Sequence, residues 1–110
     1  MDTTQLLKGV LDLAVLAVLT DEDGYGYDIL RRLRAAGLDD VADASVYGTL
    51  RRLFQAGLVS AYVVPSDEGP HRKYYALTTN GRDQLHRSGK VWRAFASTMD
   101  ALLDERGVAA

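Results

Sequence analysis

The chain has 110 residues, 47% of them hydrophobic and 25% charged, with a formal net charge of −2. That length fits one folded unit, and the balance is globular rather than disordered. It contains no cysteine, which excludes a disulfide framework and a thiolate metal site.

Leu6 to Leu19 is expected to form a first helix, rich in Leu, Val and Ala and apolar on nearly every side after Asp12. Such a helix is buried on most sides, which in so short a chain suggests a second subunit. The apolar run Val10 to Leu19 is too short to span a bilayer, and nothing resembles a signal peptide, so the expected location is the cytoplasm. Asp21 to Gly24 is expected to form a turn. A second helix follows over about Tyr25–Ala36 and a third over about Ala44–Ala56, with Asp43 as its expected N-cap. Both close alike, LRRLRAAGL at Leu30–Leu38 and LRRLFQAGL at Leu50–Leu58. A glycine after the last helical turn followed by a leucine is the Schellman pattern.

Val59–Val64 and Lys73–Leu77 are β-branched and aromatic, hence strands, with Pro65 to Pro70 as the loop between them. Thr78 can cap a last helix running to about Glu105. Its apolar residues Leu85, Trp92 and Met99, then Phe95 and Leu102, fall at the a and d positions of a heptad, with Ser88 as a polar gap. The fold class is therefore mainly α with a small β-ribbon: a winged helix-turn-helix over residues 1–78 and a long C-terminal dimerisation helix over 79–110, together one compact structural domain.

A helix followed at once by a basic two-stranded ribbon is how a winged helix holds DNA. On the third helix, Val46, Leu50 and Leu53 share the core face. Around the other side lie Ala44, Ser45, Gly48, Arg51 and Arg52, with Thr49 at a flank. Small residues let a helix sink into the major groove, hydroxyls bond phosphates or base edges, and arginine clamps guanine. Tyr47 sits beside the core face, as packing or as a phosphate donor. Arg72 and Lys73 occupy the wing, with His71 beside them. The net charge of −2 argues mildly against nucleic acid, but its distribution matters more, and basic residues gather at Arg31–Arg34, Arg51–Arg52 and Arg72–Lys73.

Other chemistries find little footing. His71 and His86 stand on different elements, so neither metal nor cofactor is expected. No nucleophile–base pair or phosphate loop stands out, so the chain is not expected to be an enzyme. A winged helix used for protein contact without DNA is the alternative.

The motifs LLKGVLDLAVLAVL, GYGYDIL, SVYGTLRRLFQAGLV and RKYYALT, the last followed by Asn80-Gly81, resemble the PadR family of bacterial transcriptional regulators, in its short form with a single C-terminal helix. The acidic Asp67 and Glu68 beside the wing tip depart from that pattern. The resemblance implies a homodimer joined by the first and last helices, with Leu6, Val10, Leu85, Trp92, Phe95, Met99 and Leu102 as dimer contacts. It further implies repression of a nearby promoter through a near-palindromic operator, relieved by a small molecule. Some relatives receive flat aromatic ligands between subunits. Trp92, with Phe95, Met99, Leu11 and Val15 as neighbours, is thus either part of the dimer core or a site for a planar aromatic or phenolic ligand.

Overall fold

Helix α1 opens the computed structural model, which describes residues 1–109, over Thr3–Val18. It begins three residues before the expected start because Asp2 and Gln5 form a capping box: the Asp2 carboxylate accepts from the Gln5 N–H, and the Gln5 side chain accepts from the Asp2 N–H. Helices α2 (Gly26–Ala35) and α3 (Asp43–Gln55) follow as expected. Both end in Schellman motifs. Leu38 N–H reaches the Leu33 carbonyl at 3.0 Å and Leu58 N–H the Leu53 carbonyl at 2.9 Å, with Gly37 and Gly57 at positive φ.

Asp43 is not the cap of α3. Ala42 holds that position without a side-chain bond, and Asp43 is the first helical residue. Its carboxylate lies 3.5 Å from Arg34, which also donates to the Val41 carbonyl at 2.9 Å. Arg34 thereby fixes the link between α2 and α3. The carboxylate still complements the positive end of α3.

The chain turns between Leu19 and Asp23, but Gly24, expected as the last residue of that turn, instead opens a short strand, β1 (Gly24–Tyr25). With β2 (Val59–Val64) and β3 (Arg72–Leu77) it forms an antiparallel sheet in the order β1-β3-β2. Register runs Gly24↔Tyr75 and Tyr25↔Tyr74 on one side of β3, and Val59↔Leu77 through Val64↔Arg72 on the other. A two-residue strand has no periodicity, so only its pairing with β3 reveals it.

Helix α4 spans Thr79–Glu105, about 40 Å at 1.5 Å per residue. Thr78 caps it, accepting from the Gly81 N–H at 3.0 Å while donating to the Gly57 carbonyl at 2.7 Å. At Gly81 an added Cβ would stand 2.0 Å from the Leu58 carbonyl oxygen, so only glycine allows α4 to start against the end of α3. The end of α4 is again a Schellman motif, with Gly107 at positive φ.

The core is built from Leu7, Leu11, Val15, Leu16 and Leu19, from Ile29, Leu30 and Leu33, and from Val41, Val46, Leu50, Leu53 and Val59. Helix α4 adds only the buried Gly81 and the half-buried Leu85. Most of it therefore stands away from the core. The molecule measures 58 × 27 × 21 Å, with a radius of gyration of 16.0 Å, against about 13 Å for a compact chain of this length.

Candidate nucleic-acid interface

Packing of α3 decides which of its side chains can meet DNA. Val46, Thr49, Leu50 and Leu53 are buried against the other helices; Ala44, Ser45, Tyr47, Gly48, Arg51 and Arg52 are exposed. Gly48 has open space where a Cβ would be. Glycine within a helix costs about 1 kcal/mol relative to alanine, and no contact among the described residues requires it here.

Thr49 differs from expectation. It is 1% exposed, and its hydroxyl oxygen accepts from Arg52 at 3.0 Å. It turns inward because it lies one helical turn from Val46 and Leu53, so it is a core residue and not a DNA contact. Arg52 is also committed within the chain, its Nη2 lying 3.0 Å from Oδ1 of Asp12 on α1. Arg51 makes no ion pair among the described residues. Tyr47 packs and faces solvent at once. A Cβ on Gly26 would lie 2.2 Å from its Cε1, yet half of the residue is exposed. The glycine of the GYDIL motif is thus the bed on which Tyr47 lies.

The wing cations separate. Consecutive strand residues point to opposite faces. Lys73 turns toward α3, its Nζ 5.4 Å from the centre of the Phe54 ring. Arg72 turns to the outer face, its guanidinium 4.6 Å from the Tyr25 ring. There it ends a ladder of Tyr25, Tyr74 and Tyr62, with ring centres 5.4 and 5.8 Å apart. The Tyr62 hydroxyl donates to Asp23 Oδ2 at 2.6 Å, and that bond to a carboxylate raises the tyrosine pKa. Reading the sequence does not reveal this ladder; its visible signal is the tyrosines of GYGY, AYVV and KYYA. His71 lies exposed in the loop.

A second feature lies between α1 and α4. An apolar groove of about 590 Å³ is lined by Leu6, Val10 and Leu13 and by Val91, Trp92 and Phe95, with Asp12 and Ser88 at its edge. Trp92 and Phe95 are tilted rings 6.4 Å apart. Two expected neighbours of Trp92 are elsewhere: Leu11 and Val15 face the opposite side of α1 and belong to the core, because they alternate at helical spacing with the groove residues. Met99 lies past the groove, still 38% exposed. Leu102 and Leu103 continue the apolar face of α4. Among the described residues, no helix is long and apolar enough to cross a membrane, and no group of His and acidic residues could hold a metal.

Residues 15–87 match the transcriptional regulator PadR-like family. Among solved structures, the chain is similar to a PadR-like transcriptional regulator from Bacillus cereus, with 34% identity over 90% of this chain and 96% of that one, at a TM-score of 0.79. A Streptococcus transcriptional regulator is 31% identical over 89% and 96% of the two chains, with a TM-score of 0.77. A PadR family regulator from hypervirulent Clostridium difficile is 28% identical over 86% and 98%, with a TM-score of 0.76.

Proposed function

Because this chain belongs to the PadR-like family of transcriptional regulators, we propose that it represses a nearby promoter as a homodimer on a near-palindromic operator, and that a small planar aromatic or phenolic ligand releases it. The exposed face of α3 carries the reading: Ser45, Gly48 and Arg51 leave a small-residue surface with an uncommitted guanidinium. Lys73 stands beside it. Arg51 suits a base edge, and Tyr47, Lys73 and Arg72 suit phosphates.

The dimer follows from what α1 and α4 leave uncovered. Leu6, Trp92, Phe95, Met99 and Leu102 are each between 38% and 59% exposed. A continuous apolar stripe of this kind is rarely left to water. Gly9 and Gly89 lie within helices, with nothing within 4 Å of an added Cβ. A close approach by the same helices of a second copy gives those glycines a use. Two α3 helices related by a two-fold axis then meet half-sites roughly 34–36 Å apart.

Light scattering at micromolar concentration should give twice the chain mass, and Met99→Asp should lower it by placing a carboxylate in the apolar seam. A gel shift over duplexes tiling the region upstream of its gene should show salt-dependent, sequence-specific binding. A monomer that binds no duplex refutes the proposal. For the ligand, planar cationic dyes and phenolic acids should quench or shift Trp92 fluorescence, which no second tryptophan obscures. Trp92→Ala should remove that response and leave DNA binding in place. If no compound moves the fluorescence and Trp92→Ala dissociates the dimer, Trp92 is interface core.

A further inference from the structure

Arg51 and Arg52 are neighbours on α3, yet among the described residues only Arg52 has an acidic partner. Its guanidinium is shared between the buried hydroxyl of Thr49 and the carboxylate of Asp12, each at 3.0 Å. Asp12 comes from α1, 40 positions earlier, so the ion pair bridges the first helix and the DNA-facing helix. Both side chains remain more than half exposed. An exposed ion pair adds little to stability, and water or a competing anion can reach it. Asp12, Ser45, Gly48 and Arg52 line one open cleft of about 350 Å³ beside the face assigned to DNA. Lys8 and Asp40 line it too, and neither forms an ion pair with Asp12 or Arg52.

We propose that Asp12 is a built-in brake on DNA affinity: in the free protein its carboxylate occupies Arg52, and a backbone phosphate must displace it before Arg52 can contact the duplex. Phosphate and carboxylate are alternative anions for one guanidinium. Whatever stabilises the free pair is subtracted from binding. The Thr49 hydroxyl accepts from the same Nη2 that meets Asp12, so it orients the guanidinium head at the edge of the α3 face where a phosphate would compete for it. This rests on the reading of α3 as the DNA-facing helix.

The test measures affinity and its salt dependence by fluorescence anisotropy, on the upstream duplex that the wild-type chain binds best. Variants are Asp12→Asn, Arg52→Ala, the double variant and Asp40→Asn. Asp12→Asn should tighten binding about two- to fivefold per α3 helix, the range of one exposed ion pair. It should also steepen the salt dependence by about one unit for each additional phosphate that Arg52 neutralises. In the Arg52→Ala background the same change should do nothing, a coupling that a double-mutant cycle isolates. Asp40→Asn reports the effect of removing any nearby negative charge and should be smaller. Tightening that persists without Arg52 would overturn the brake, leaving only long-range charge. Unchanged or weaker binding by an Asp12→Asn protein of wild-type melting temperature overturns it as well. If the wild-type chain binds no duplex, the DNA reading itself fails, and the brake with it.

Discussion

Helices α2 and α3 carry nearly the same seven residues, Tyr27-Asp-Ile-Leu-Arg-Arg-Leu33 and Tyr47-Gly-Thr-Leu-Arg-Arg-Leu53, and they end in the same Schellman motif. Their arginine pairs nevertheless have opposite fates. On α2, Asp28 reaches both guanidiniums, Arg31 at 2.8 Å and Arg32 in a closer contact. Arg32 is largely buried and also donates to the carbonyls of Glu22 and Asp23 at 2.9 and 2.7 Å, which holds the loop leading into β1. On α3 the place of Asp28 is taken by Gly48. Among the described residues Arg51 has no acidic partner, and Arg52 finds only the distant and exposed Asp12. One position, acidic in the first helix and glycine in the second, separates a pair of arginines that share a local carboxylate from a pair that has none on its own helix.

Gly48→Asp should have the largest effect, because it gives α3 the acidic residue of α2. The new carboxylate sits three and four residues before Arg51 and Arg52, where helical side chains meet, and it repels phosphate. DNA affinity should fall by about 1–3 kcal/mol per half-site, with melting temperature little changed. Unaltered binding would break the comparison. Asp28→Ala tests the other helix. It strands the partly buried Arg32, and urea unfolding should show a loss of about 2 kcal/mol, between the values for exposed and buried pairs.

A sharper contrast comes from the matching arginines. Arg51→Ala should cost about 1–3 kcal/mol of operator affinity if it clamps a base. Arg31→Ala, already paired with Asp28 and lying 5.5 Å from the Tyr27 ring, should change affinity far less. Equal losses in an anisotropy titration would erase the distinction between the helices. The smallest effect concerns Tyr62, whose bond to Asp23 supports the loop that Arg32 also holds. Its pKa is raised, so this contribution is full below the ordinary tyrosine value of about 10. It is lost as pH rises through the higher folded value. Tyr62→Phe should melt slightly earlier than wild type at neutral pH and converge with it in strong alkali.

Much of the fold can be read along the chain because its signals are local. The glycine-leucine closures of α2 and α3, the β-branched runs and the Thr78 cap each depend on residues within a turn or two. The places where sequence misleads depend on distant neighbours. The strand at Gly24–Tyr25 exists only because Tyr74 and Tyr75 pair with it. Thr49 reads as the flank of an exposed face, but the packing of α3 against α1 and α2 rotates it inward. Leu11 and Val15 look no different in sequence from Leu6 and Val10; which side of α1 meets the core and which meets α4 is settled by how three helices cross.

The sequence alone determined the order of the four helices and the two longer strands, the Thr78 cap, the glycine closures of α2 and α3, the apolar face of α4 and the residue types of the α3 surface, since propensity, periodicity and capping act over a few residues. Only the tertiary structure decided which arginines are free. Ion pairing depends on where carboxylates from other elements come to rest, and Asp12 reaches Arg52 only once α1 has packed across α3.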